Sequence, residues 1–152
     1  MKSLHLICVG KLKDTHLEAL EQDYLKRVLN PNLIIHEVRA SAENKEAEGD
    51  AVTKKLKELE KDGPLHRVAL TEWGKRHTSV DFARWTAQLI EKPSKTVFII
   101  AGAEGFTEVL LKQCQDRISL SELTFPHKLA RLLLVEQLYR AQTIRVGHPY
   151  HN

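Results

Sequence analysis

The chain has 152 residues, 42% hydrophobic and 28% charged, with a formal net charge of +3. That length suits one domain with a buried core, and the composition excludes a disordered or collagen-like chain. No apolar run approaches the roughly 18 residues of a membrane span, and two cysteines, Cys8 and Cys114, make neither a disulfide framework nor a zinc site.

Leu4–Val9 (LHLICV) is a short apolar run closed by Gly10 and reads as a buried strand; with His5 inside it, it is too short for a signal peptide. A reducing cytoplasm is the simplest home. Residues 15–29 form a helix pattern with Leu17, Leu20, Tyr24, Leu25 and Val28 on one face, stopped by Asn30, Pro31 and Asn32. Leu33–Val38 is a second strand. Residues 40–49 are polar and aperiodic, which reads as a mobile loop before a helix over 51–61 that Asp62, Gly63 and Pro64 break. A third strand over 67–70 leads into a loop over 71–77, and a helix then runs from Ser79, taken as its N-cap, to about Glu91. Residues 96–101 (TVFIIA) are the most continuous β-rich run and should be a central strand buried on both faces. Thr107 should cap a helix to about Asp116, followed by a short strand over 117–120 and a long helix over 126–143. Alternating strands and helices imply right-handed crossovers. The expectation is an α/β fold, a mostly parallel sheet flanked by helices, in a single domain over residues 1–152.

Charge is unevenly placed. Residues 126–152 hold Lys128, Arg131, Arg140 and Arg145 against one acid, Glu136, while the rest of the chain is balanced. A neutral body with a basic end points to a negatively charged partner at that end. The last helix carries Leu132, Leu133, Leu134 and Val135 in succession, which point all round its axis. Such a helix needs cover beyond one sheet, most simply a second copy across a two-fold axis, so a homodimer is expected. Glu136 and Arg140, spaced i, i+4 with the acid first, read as a structural pair.

Ligands in open α/β sheets bind at the carboxyl ends of strands. Three loops qualify: after Leu70, after Ala101, and around residues 120–125. Gly102-Ala103-Glu104-Gly105 lets backbone approach a ligand, but reads equally as a tight turn. It is neither a dinucleotide fingerprint nor a Walker loop, which weakens a nucleotide-hydrolase reading. Residues 120–125, before Pro126, read alone as a strand-to-helix connection; with the other two loops they can form one crevice. His127, His148 and His151 cluster near the end, yet no carboxylate or cysteine in the tail completes a ligand set, and no metal is expected. Arg145 and Tyr150 suit phosphate or base contact, the other reading being a solvated tail. Cys8 reads as core, and no serine or cysteine sits in an activating motif.

The run LTFPHKLARLLLVEQLYRAQTIRVGHPYH, with AGAEGF before it and HLICVGKLK at the start, closely resembles the RlmH family of small SPOUT-class methyltransferases across essentially the whole chain. The resemblance implies a SPOUT-type fold with a C-terminal trefoil knot, a homodimer, and S-adenosyl-L-methionine as cofactor. Its cofactor contacts would be Leu70, Gly102, Leu120, Ser121, Glu122, Leu123, Thr124 and Phe125. The family's loop typically reads G-G-x-x-G, with Ala101 here at the first position. The implied reaction is methylation at N3 of a pseudouridine in the helix-69 loop of 23S rRNA, on the assembled 70S ribosome. His127, Arg140 and His148 are candidates for proton relay and positioning, and Arg145, Tyr150 and His151 for RNA contact. The dimer allows one subunit's tail to complete the other's site. The alternative is a non-catalytic RNA- or ribosome-binding dimer that uses the basic end as its footprint.

Overall fold

A computed structural model describes residues 3–152. Five strands, β1 (Leu4–Val9), β2 (Leu33–Val38), β3 (Leu65–Arg76), β4 (Lys95–Ile100) and β5 (Asp116–Ser119), form one sheet in the order β2-β1-β4-β3-β5. Every pairing is parallel. The run expected at the centre is the middle strand, β4, and both it and β1 are buried on both faces.

Side chains alternate across these strands, so each feeds two cores. Leu6, Cys8, Phe98 and Ile100 pack with α1 (Thr15–Leu25), α3 (Ser79–Glu91) and α5 (His127–Val146). Ile7, Val9, Val97 and Ile99 pack on the other face with Val52 and Leu56 of α2 (Lys45–Glu60) and Leu110 of α4 (Glu108–Lys112). The result is three layers, with the C-terminal helix between α1 and α3.

Several boundaries depart from expectation for local reasons. The first helix ends at Leu25, short of residue 29. The second begins inside the segment read as a loop, because the Asn44 side chain accepts a hydrogen bond from the Ala47 N–H at 3.0 Å. Thr78, one residue before the expected cap, accepts from the Asp81 N–H at 3.0 Å and starts α3. Thr107 caps α4 as expected, accepting from Leu110 N–H at 3.1 Å, but the helix stops at Lys112 ahead of β5. The last turn of α5 runs on to Val146, and the His148 N–H donates to the Thr143 carbonyl at 2.9 Å.

The larger departure is β3. It continues through most of the loop expected over 71–77. Ile118 of β5 pairs with Leu70 and again with Lys75, so the residues between bulge from the ladder. Gly74 makes this possible: a Cβ there would lie 2.6 Å from the Arg117 carbonyl carbon and 2.7 Å from Ile118 backbone.

The all-round apolar character of α5 is mostly satisfied within the chain. Leu132, Leu134, Val135 and Leu138 are buried, and α1 and α3 supply the cover that was expected from a second copy. Leu129 and Leu133, one turn apart, stay exposed.

Arg131, counted above among the cations of the basic end, is buried and spent internally. It donates to both Glu21 oxygens at 2.7 and 2.8 Å and to Glu37 at 2.6 Å. Burial opposes its charge, but the bonds from Glu21 and Glu37 outweigh that and hold its pKa above the ordinary arginine value. Replacing Arg131 by Met should cost about 3–5 kcal/mol in urea unfolding, because Glu21 stays buried and unpaired. A loss below about 1 kcal/mol would contradict this account.

A second titrating pair lies across β1 and β2, where His5 Nδ1 is 2.9 Å from His36 Nε2. Burial, then His36 and Lys95, lower the His5 pKa from 6.5 to about 4. The folded chain therefore keeps His5 neutral while the unfolded chain protonates it near 6.5, and stability present above that pH declines as pH falls toward 4. The loss should reach on the order of 2–3 kcal/mol between pH 7 and 4. A His5→Gln variant should show a shallower decline over the same window; an identical slope would exclude His5 as the source.

Candidate active site

Three chain segments end at one cavity of about 780 Å³ on the carboxyl edge of the sheet. β3 supplies Leu70 and the bulge residues Thr71, Glu72 and Trp73. The β4–α4 loop supplies Ala101 through Phe106. The segment between β5 and α5 supplies Leu120, Ser121, Leu123, Thr124, Phe125 and Pro126, and α5 adds His127 and Ala130. The volume lies within the roughly 300–1,000 Å³ of small-molecule sites.

The β5–α5 segment is shaped by its own hydrogen bonds. Ser119 Oγ donates to the Ser121 carbonyl at 2.8 Å, and Ser121 Oγ accepts from the Leu123 N–H at 3.0 Å. Pro126 then opens α5 without a side-chain cap, so its first N–H groups lack an intrahelical partner, and His127 of this turn lines the cavity. Of the residues assigned to cofactor by resemblance, Leu70, Gly102, Leu120, Ser121, Leu123, Thr124 and Phe125 line the cavity. Glu122 does not: its exposed carboxylate turns outward to Arg76 at 3.0 Å.

His127 lines the cavity, but the other candidates lie elsewhere. Arg140 is thirteen residues further along α5, about 20 Å at the helical rise of ~1.5 Å per residue. There Arg140 donates to both Glu136 oxygens at 2.8 and 3.3 Å and pairs with His151 Nδ1 at 3.0 Å. Its guanidinium covers the Tyr150 ring at 4.9 Å, and that ring packs edge-on against Tyr139 at 4.8 Å. Burial, then the hydrogen bond to Tyr24, pushes the Tyr150 phenol up to about 12. The tail is thus folded back on α1 and α5. Two of the four cations of the basic end, Arg131 and Arg140, face acids of the same chain. Arg145 donates to Thr86 Oγ1 at 3.5 Å, and burial lowers its pKa. His148 is exposed and accepts from the Tyr150 N–H through Nδ1.

Two features at the cavity were not singled out from sequence. Trp73 is 60% exposed at the cavity with the Arg117 guanidinium 5.4 Å from its ring. Thr71 Oγ1 is buried with no hydrogen-bond partner among the described residues. The loop after Leu70 was expected at the ligand, but without its strand pairing neither side chain stood out, although an exposed tryptophan beside a strand end is a legible signal. Cys8 and Cys114 have thiols pushed up by burial, to about 12 and about 11, and neither lines the cavity.

Parallel strands ending in one such cavity define an α/β domain built to hold a small ligand at its strand ends. The family model described as "Predicted SPOUT methyltransferase" matches residues 1–151. Proteins named ribosomal RNA large subunit methyltransferase H are similar over nearly their full length. That of Synechococcus sp. (strain CC9902) is 42% identical over 146 residues, 96% of this chain and 94% of that protein. That of Gluconacetobacter diazotrophicus is 40% identical, covering 97% and 96%. The SpoU methyltransferase AviRb from Streptomyces viridochromogenes, solved with the cofactor AdoMet, shares the fold with a TM-score of 0.54 at 11% identity. That match covers 96% of this chain and 59% of the other. The chain belongs to the SPOUT methyltransferase family.

Proposed function

We propose that this chain is an S-adenosyl-L-methionine-dependent methyltransferase of ribosomal RNA, acting as a cytoplasmic homodimer at N3 of a pseudouridine in the helix-69 loop of 23S rRNA on the 70S ribosome. The cavity carries the reading. Residues assigned to cofactor through three separate segments surround one volume of suitable size. Its chemistry fits the group: Leu70, Ile100, Leu120 and Phe125 give apolar walls, the glycine loop presents backbone, and Thr71 Oγ1 has a hydrogen bond to make. Bound there, S-adenosylmethionine supplies an electrophilic sulfonium methyl. The chain's own residues supply position and proton handling. His127 stands at the cavity to take the imide proton, and the uncapped N-terminus of α5 favours the negative charge left on the base.

Arg140 and Arg145 on α5, and His148, Tyr150 and His151 in the tail after it, do not line their own cavity. A catalytic role for them therefore needs a second copy whose tail reaches this one's strand ends, and the proposed dimer supplies it. The exposed Leu129 and Leu133, one turn apart and just after His127, are an apolar strip on which that copy can pack. The trefoil knot implied by the resemblance is carried into this reading.

Single Ala substitutions of His127, Arg140 and His148, assayed for methyl transfer to ribosomes, test the roles. His127→Ala should lower turnover by about 10²–10⁴ if it relays the proton. Unchanged turnover in all three would remove them from the chemistry. Mixing a cavity variant with a tail variant should restore part of the activity in heterodimers; no rescue under verified subunit exchange would contradict a shared site. A non-catalytic RNA-binding dimer, the other reading, would bind ribosomes while leaving S-adenosylmethionine unbound.

A further inference from the structure

The side of the glycine loop that faces away from the cavity is packed against a buried acid. The first turn of α2 comes so close to this loop that a Cβ on Gly49 would sit 3.3 Å from Thr107 Oγ1. The preceding residue, Glu48, is 7% exposed. Its Oε2 accepts from the Ser41 N–H at 3.0 Å, while Oε1 is buried with no hydrogen-bond partner among the described residues. Among the described residues Glu48 enters no salt bridge. A Cβ on Gly102 would lie 2.8 Å from Oε1 and 3.1 Å from Oε2. Glycine at position 102 therefore does two things: it presents backbone to the cavity and lets the Glu48 carboxylate rest directly behind it.

A buried charge with no counter-ion is costly, and the cost falls when an opposite charge comes near. Among the described residues no lysine or arginine lines the cavity, whereas Glu72 and Glu104 do. Those two are exposed and screened by solvent; Glu48 is neither. We propose that Glu48 is the counter-charge of the cavity, a positioning residue that acts through the Gly102 backbone to favour a sulfonium ligand over its neutral thioether product. The inference rests on the methyltransferase reading and adds the device that distinguishes the two ends of the reaction. Before transfer the sulfur is cationic and the carboxylate is compensated. Afterwards the methyl has left with the positive charge, and the carboxylate no longer favours what remains.

Glu48→Gln keeps an oxygen to accept from Ser41 N–H and removes the charge. Calorimetric titration of the variant dimer with S-adenosylmethionine, with sinefungin (cationic through an amine), and with S-adenosylhomocysteine (neutral at sulfur) reads the effect directly. Affinity for the two cations should fall about tenfold while affinity for the neutral thioether stays within about twofold. Under turnover the KM for S-adenosylmethionine should rise without a matching fall in kcat. Glu48→Asp, which retains the charge, should keep the cation-to-neutral ratio of the wild type, and Glu48→Ala should shift it in the same direction as Gln. A merely structural tie to Ser41 would weaken all three ligands together. Equal loss for all three ligands, or no loss, overturns the counter-charge alone. Wild-type protein that binds none of them overturns the methyltransferase reading and this inference with it.

Discussion

Three hydrogen bonds from Arg131 to Glu21 and Glu37 fix where the C-terminal helix begins. Arg131 lies one turn after His127 and next to Ala130, both at the cavity. Its partners come from α1 and from the edge strand β2, so one side chain ties the opening of α5 to two elements far away in sequence. Such a buried triad adds little net stability compared with a well-packed apolar core, but it is unforgiving of misplacement. Leucines can pack in several registers, whereas a guanidinium bonded to two carboxylates has one. The start of α5, and with it one wall of the cavity, inherits that precision.

The strands and their order of burial were legible because the signal is local: β1 and β4 are short, continuous apolar runs in which both faces are covered. The cavity was legible in outline for the same reason, since parallel strands place their following loops on one edge. What was not legible depends on partners distant in sequence. β3 runs past Leu70 because Lys75 and Arg76 find β5 again, and only the backbone at Gly74 explains how. Glu48 fell in a stretch without apolar period, and its burial under Gly102 could not be read from either segment alone. The charge argument was misleading in one respect. Composition counted Arg131 and Arg140 as available cations, while the fold pairs them with acids drawn from α1, β2 and α5 itself.

The same correction strengthens the functional reading in another way. With much of the basic end neutralised internally, affinity for RNA cannot rest on the charge of one copy, and phosphate contacts set most such affinity. The proposed dimer presents both tails and brings each to the cavity of the other copy. The cavity itself is poor in cations, which suits a positively charged methyl donor better than a phosphate-bearing cofactor. The division of labour in the proposed dimer is spatial: strand ends for the donor, the opening of α5 for the proton, and the far end of a partner's α5 for the RNA.

The most direct measurement is mass-spectrometric mapping of 23S rRNA after ribosomes lacking the modification are incubated with the protein and isotope-labelled S-adenosylmethionine. The account predicts a single labelled methyl on a pseudouridine of the helix-69 loop, formed on 70S ribosomes. Labelled methyl elsewhere in the RNA, or ribosome binding with no methyl transferred under conditions where the protein is folded and dimeric, would contradict it.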